Sequence, residues 1–172
     1  MSEIKLQNYI RDVKDFPKKG ILFKDISPLL ANGEVLNYTI NEIAKHCQDT
    51  DLIVGPDARG FLFGTPTAAM LKKPFLMVRK PNKLPGEVVS MEYDLEYGSN
   101  KLEFQVGFAK PGQTAVIVDD VLATGGTTKA IVKLLQSQGI IVKKIVVLLE
   151  LSELKGRDIF DKNIEIVSLV NV

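Results

Sequence analysis

Apolar residues along the chain fall into two rhythms. Short runs at 52–54, 75–78, 116–118, 143–149 and 164–170 are dominated by branched and other apolar side chains, the composition of strands covered on both faces. Elsewhere the apolar positions recur at helical spacing. Leu36, Ile40, Ile43, Ala44 and Cys47 mark a helix over 34–47, a second helix is expected over 61–71, and Ile131, Leu134 and Leu135 mark a third after residue 127. A shorter stripe, Leu6, Ile10 and Val13, predicts a helix over 4–13. Residues 88–106 alternate apolar and polar around Gly98-Ser99-Asn100 and read as a β-hairpin. Strands alternating with helices imply an α/β fold, a mainly parallel twisted sheet with helices on both faces and 164–170 as an edge strand.

Composition narrows the class without choosing a function. The chain has 172 residues, the size of one domain (1–172) with a proper core. Hydrophobic residues make up 45% and charged residues 25%, ordinary for a globular protein, and a net charge of +1 gives no reason to expect nucleic acid or an anionic membrane as partner. No apolar run is long enough to span a bilayer, and the amino terminus carries an acid early with no apolar signal core, so the expected location is cytoplasmic. One cysteine excludes an internal disulfide. Cys47 falls on the helical stripe as a small core residue, and His46, the one histidine, reads as surface; a Cys–His nucleophile pair is not expected.

The chemistry is concentrated after the run at 116–118. Asp119 and Asp120 follow where the strand should surface. Then come Ala123, Thr124, Gly125, Gly126 and Thr127, and after them the helix. A strand, a small-residue turn and a helix aim free backbone N–H groups and the positive end of the helix dipole at the turn, which favours a phosphate. No lysine follows the glycines and no G-x-G-x-x-G pattern is present, so neither a Walker A loop nor a dinucleotide fingerprint fits. Two carboxylates would repel a bare phosphate but suit a sugar carrying one, through its hydroxyls or through water on Mg²⁺. The order reads as a ribose 5-phosphate site.

Three other stretches bear on the same chemistry. Residues 55–60, Gly-Pro-Asp-Ala-Arg-Gly, form a second strand-to-helix turn with Arg59 inside it: either a solvated loop arginine or a seat for a second anion such as pyrophosphate. Residues 16–30 are punctuated by Pro17 and Gly20, with Ser27-Pro28 as a helix N-cap and first-turn proline. Ile21, Leu22 and Phe23 there should be buried, by packing on the core or, for Phe23, by stacking on a flat ligand. Residues 79–87 are basic and proline-rich, leading into the hairpin: a closing lid or a solvated loop.

The run from 116 to 127, apolar residues, two acids, two variable residues and a Thr-Gly-Gly-Thr turn, resembles the phosphoribosyl-pyrophosphate (PRPP) signature of the type I phosphoribosyltransferases. Residues 16–30 resemble the base-binding hood of the adenine-specific members, with Phe-Pro, Gly, an apolar pair, Phe, a basic residue, Asp-Ile and Pro-Leu in order. The resemblance covers nearly the whole chain; Lys24 departs from it, since some members carry Arg there. It implies that adenine and PRPP give AMP and pyrophosphate with Mg²⁺, held mainly through PRPP and water and with no direct metal ligand, in a cytoplasmic homodimer. Ala123 to Thr127 would bind the 5-phosphate, and Asp119 and Asp120 the ribose. Ala58, Arg59, Arg79, Lys80 and Lys83 would bind pyrophosphate, with a cis peptide bond before Arg59. Leu22, Phe23, Lys24 and Val121 would meet adenine. Residues 1–33 would form the hood and 79–104 a flexible loop and hairpin, where Glu96 would handle the proton at the base and Tyr97 belong to the lid. Two alternatives stand beside this: a 6-oxopurine enzyme, which lacks this form of hood, and a non-catalytic PRPP-sensing regulator, which usually adds a helix-turn-helix domain.

Overall fold

The computed structural model describes residues 4–94 and 99–172. The chain divides into two compact units, 1–42 and 43–172. The first opens with a single 3-10 turn at Leu6–Tyr9, followed by strands β1 (Arg11–Lys14) and β2 (Leu22–Asp25), paired antiparallel with Asp12 opposite Lys24. The expected helix over 4–13 is therefore not formed. Its apolar stripe is shared between one turn and a strand, because the intervening loop folds back: Asp15 and Gly20 take positive φ, Gly20 N donates to Asp15 Oδ1 at 2.6 Å, and Phe16-Pro17 is cis.

Helix α1 (Ser27–Leu30) carries proline in its first turn as expected, but Ser27 is not its cap. The backbone N–H of Ser27 donates instead to Asp25 Oδ1 at 2.9 Å. Hydrogen bonds from Ser27 and the Arg11 guanidinium hold the Asp25 carboxyl down at about 2. Ile21 and Leu22, expected to be buried, are 44% and 46% exposed, while Phe23 is half-buried with its ring edge-on to Phe16 at 5.1 Å.

Helix α2 (Gly33–Lys45) runs across the division between the units and starts at Asn32, whose side-chain oxygen accepts from the N–H groups of Glu34 and Val35. Its buried stripe is Val35, Thr39, Ile43 and Ala44, one position round from Leu36 and Ile40, which are half-buried. Thr39 can sit there because its hydroxyl donates back to the Val35 carbonyl at 2.8 Å. Beyond the helix Cys47 is fully buried and its thiol is pushed up to about 12 by burial, the behaviour of a core residue. His46 is half-buried. Lys73 donates to the carbonyls of Cys47, Gln48 and Thr50, closing the carboxyl end of α2.

The second unit holds a seven-stranded sheet built from β3 (Leu52–Pro56), β4 (Phe75–Arg79), β5 (Val88–Asp94), β6 (Ser99–Gln105), β7 (Thr114–Leu122), β8 (Ile141–Glu150) and β9 (Glu165–Asn171), in the order β5-β6-β4-β3-β7-β8-β9. The five strands from β4 to β9 in that order are mutually parallel; β5 and β6 add an antiparallel hairpin at one edge, and β9 forms the other. β7 and β8 are almost wholly buried, whereas β4 is not the buried strand expected: only Val78 is fully covered and Met77 is 36% exposed.

Helices α3 (Arg59–Leu71) and α4 (Gly126–Ser137) connect β3 to β4 and β7 to β8. The first connection steps one way along the sheet and the second the other, so right-handed crossovers put the two helices on opposite faces. Between β3 and β7 the winding reverses, and such a switch point opens a crevice at the carboxyl ends of the strands. Two glycines let α3 lie tight on the sheet: a Cβ on Gly64 would fall 2.4 Å from the Phe75 ring, and one on Gly55 2.9 Å from it.

Candidate active site

At the switch point β3 and β7 both end in a strand–turn–helix, and the two turns face one cavity of about 290 Å³. Pro56 to Arg59 line one wall; Asp119 to Val121 and Ala123 to Thr128 line the other. The second unit thus brings together Ala58, Arg59, Asp119, Asp120, Val121 and the whole turn Ala123 to Thr127. Leu22, Phe23 and Lys24 lie on β2 in the first unit, where Lys24 donates to Asp12 at 2.7 Å, so its side chain is already engaged across the β1–β2 pair. Glu96 and Tyr97 lie outside the described residues.

β7 does not stop before the acids, as expected, but runs through both to Leu122. As neighbours in a strand they point to opposite faces. Asp119 faces α3: a Cβ on Gly60 would lie 3.0 Å from its Oδ1, and that oxygen also accepts the N–H of Asp120 at 2.8 Å. Asp120 is 4% exposed and takes the Arg59 guanidinium on Oδ2 at 2.9 Å. Burial, reinforced by the charge of Asp120, pushes the Asp119 carboxyl well above its ordinary range. Burial raises Asp120 as well, against the pull of Arg59. β7 therefore holds two adjacent carboxylates where water cannot fully solvate them.

Beyond β7, Gly125 caps α4 with φ +84°, the left-handed conformation, and Lys129 N closes the first helical bond to Gly125 O at 2.8 Å. The N–H groups of the first turn of α4 lack helical partners and are the turn's natural anion donors. Thr127 Oγ1 lies 3.3 Å from the hydroxyl of Tyr93, on β5, so the hairpin reaches the edge of this turn. Nothing in the spacing of Tyr93 singles it out from sequence.

The other turn is built differently. The cis bond lies one residue earlier than expected, at Asp57-Ala58, and Arg59 is the first residue of α3, not part of a loop. Asp57, which sequence reasoning passed over, accepts from both Arg79 Nε and Lys83 Nζ at 3.1 Å. Burial would raise its carboxyl, but Lys83 and Arg79 together hold it below the ordinary value. Arg79 also lies over the Phe61 ring at 5.7 Å. Arg79 and Lys83 thus gather at Asp57, beside the cavity and not in its lining, and Lys80 is exposed.

Among the described residues no group of three or more His, Cys, Asp and Glu side chains is placed to hold a metal ion, and no helix is long and apolar enough to cross a membrane.

Comparison with known proteins agrees with this geometry. Residues 30–171 match the phosphoribosyl transferase domain family. The adenine phosphoribosyltransferase of Mycoplasmopsis agalactiae is 71% identical over 96% of this chain and 98% of its own. The crystal structure of the Thermoanaerobacter pseudethanolicus enzyme of the same name superposes with a TM-score of 0.93 at 49% identity, over 98% of both chains. That of the Trypanosoma brucei enzyme, in complex with AMP, pyrophosphate and ribose 5-phosphate, gives 0.88 at 27% identity over 97% of this chain and 78% of its own. Two strand–turn–helix turns on one cavity, two carboxylates in its lining and this likeness over almost the full length lead to one conclusion: the chain belongs to the phosphoribosyl transferase domain family and, within it, to the adenine phosphoribosyltransferases.

Proposed function

We propose that this protein transfers the phosphoribosyl group of PRPP to N9 of adenine, giving AMP and pyrophosphate. The observation that carries the reading is one cavity lined by both strand–turn–helix turns and by Asp119 and Asp120. PRPP has a phosphate group at each end of a ribose, and this set of parts suits it. Ala123 to Thr127 hold the 5-phosphate through backbone N–H groups. Asp119 and Asp120 accept hydrogen bonds from the ribose hydroxyls on the oxygens that the Asp120 N–H and Arg59 leave open. Ala58 and Arg59 receive the pyrophosphate, and Arg79, Lys80 and Lys83 neutralise it as it leaves. Displacement at the anomeric carbon passes through a cation-like sugar, so no covalent enzyme intermediate is needed; the chain supplies position and charge.

The resemblance gives the base to Leu22, Phe23 and Lys24 of β2 and to Val121, the proton at the base to Glu96, and the lid to Tyr97. Mg²⁺, when bound, would neutralise the diphosphate charge. Asp119 and Asp120 suit it through water, because each already commits an oxygen inside the protein, to the Asp120 N–H and to Arg59. A homodimer in the cytoplasm completes the proposal. Leu62 and Met70, eight residues apart on α3 and 43% and 44% exposed, are apolar side chains that self-association would cover.

The test is a parallel assay of adenine, hypoxanthine, guanine, uracil and orotate with PRPP. A hood that reads adenine through a backbone carbonyl and N–H opposes both groups to hypoxanthine, so discrimination should reach about 10³-fold or more. Comparable turnover of hypoxanthine would move the assignment to a 6-oxopurine enzyme. PRPP binding without turnover of any base would make the protein a regulator.

A further inference from the structure

The segment after β8 packs against the phosphate turn from outside the cavity, backbone on backbone. A Cβ on Gly156 would fall 2.0 Å from the Ala123 carbonyl oxygen; one on Gly125 would fall 2.7 Å from the Gly156 oxygen and 2.9 Å from Ile159. No side chain separates the two strands of chain there. None of residues 156–160 lines the cavity, so this segment touches the turn and not its ligand.

What holds the segment in that place is a fork. Arg157 donates through Nε to Glu150 Oε1 at 2.7 Å and through Nη2 to Glu150 Oε2. Glu150 ends β8, is 3% exposed, and also accepts the Ser168 hydroxyl from β9 at 2.8 Å. On the far side Lys129, in the first turns of α4, donates to Ile159 O at 2.7 Å and lies over the Phe160 ring. The sheet thus grips one end of the 156–160 segment and α4 the other.

We propose that Glu150 and Arg157 are positioning residues for the 5-phosphate: their bidentate pair presses Gly156 against Ala123 and Thr124 and so presets the N–H groups of the turn. The inference rests on the assignment of Ala123 to Thr127 to the 5-phosphate. It is a statement about affinity for one end of PRPP, because a preformed cradle spares the ligand the cost of ordering it. A bidentate fork also fixes direction, which a single ammonium cannot.

The experiment is titration calorimetry of ribose 5-phosphate and, separately, of pyrophosphate against the full chain, with steady-state kinetics and thermal melting alongside. Arg157→Gln should weaken ribose 5-phosphate at least about tenfold and leave pyrophosphate within about twofold, with KM for PRPP raised more than kcat is lowered. Arg157→Lys should fall between Gln and wild type. The double variant Glu150→Gln/Arg157→Gln should be no weaker than the worse single variant, since both remove one device. Equal weakening of both ligands, or a lowered Tm with unaltered ribose 5-phosphate affinity, would overturn the proposal and leave the pair a plain structural bond. Thr127→Val tests the underlying assignment separately. If it leaves ribose 5-phosphate binding intact, the phosphate site lies elsewhere whatever Arg157 does.

Discussion

The turns after β3 and β7 sit at the ends of adjacent parallel strands and each opens a helix, and under the proposed assignment they would bind an anion by opposite means. The β7 turn is all backbone. Its residues are small, a second piece of backbone at Gly156 packs against it, and no lysine or arginine lies within it. The β3 turn carries one cation and has two more beside it, from the end of β4 and the loop after it, and all three are already held: Arg59 by Asp120, Arg79 and Lys83 by Asp57. In the proposed reaction the 5-phosphate stays on the product and pyrophosphate leaves, so under that assignment the contrast would follow the chemistry of the two ends of PRPP.

The largest effect should come from breaking the backbone packing. Gly156→Ala places a Cβ 2.0 Å from a carbonyl oxygen, and Gly125→Val adds a branched side chain to a left-handed residue against Gly156 and Ile159. Both should lower Tm sharply and abolish PRPP binding, read by thermal melting and calorimetry. The damage from Gly125→Val is a packing clash behind the turn, not an obstacle in the phosphate's path. Gly126→Ala is the sharper probe, because its Cβ would meet only Thr124 Oγ1 at 4.0 Å. It should melt like wild type, so any lost phosphate affinity reports approach of the ligand alone.

Next in size is the acidic pair between the turns. Asp119→Asn and Asp120→Asn should each lower kcat/KM for PRPP by tens- to hundreds-fold, about 2–3 kcal/mol of charge-assisted hydrogen bonding. For Asp119 stability should move the other way. A carboxyl whose folded-state value is raised above the ordinary 3.8 binds its proton more tightly folded than unfolded, so its ionisation costs stability as pH rises above that value. Asp119→Asn should therefore raise Tm at neutral pH, and the gain should vanish near the ordinary carboxylate value. A lower Tm at neutral pH would mean that Asp119 is solvated or paired, not crowded.

These arrangements were unequally visible in the sequence. The strand–acids–turn–helix order was readable because each of its parts has a local signature: β-branched residues, two adjacent carboxylates, glycines, an amphipathic stripe. The parallel sheet and its edge hairpin followed from the same periodicities. What escaped depends on which partner a side chain or backbone group finds, near in the chain or far, and periodicity does not report that. Residues 4–13 carry a helical stripe, yet only Leu6–Tyr9 make a 3-10 turn, and 11–13 join β1 because β2 pairs with them. Ser27 looks like a cap until Asp25 is seen to accept its N–H. Thr39 looks polar until its hydroxyl turns back into α2. Gly156 and Arg157 read as an ordinary turn, since their importance lies in touching residues more than thirty positions earlier and in a glutamate on another strand. Asp57 hid inside a turn already explained by its arginine.

A smaller effect tests the side-chain half of the comparison. Asp57→Asn keeps the turn's size and removes the anion that competes for Arg79 and Lys83. Pyrophosphate should bind about two- to fivefold more tightly, in the range of a partly exposed ion pair, and product release should slow to match. Weaker binding instead would mean that Asp57 aims those cations at pyrophosphate and does not compete with it. Smallest of all, Tyr93→Phe removes one 3.3 Å contact to Thr127 while keeping the ring. KM for PRPP should rise less than about threefold, the worth of a single long, partly buried neutral hydrogen bond.

The ring of Phe75 lies against Gly64 on α3 and Gly55 on β3, with no room for a methyl group at Gly64. This has an evolutionary consequence. Gly64→Ala first would drive a Cβ to 2.4 Å from the ring and be removed by selection. Shrinking Phe75 first takes away the ring packed on both glycines. The loss falls below the roughly 3–5 kcal/mol of a fully buried Phe→Ala because the side chain is half-buried, but it is still a large part of a marginal stability. Only the pair together restores the packing, so lineages of this chain should keep the large ring with the glycines or exchange them in one step, and the path between the two states runs through unfit intermediates.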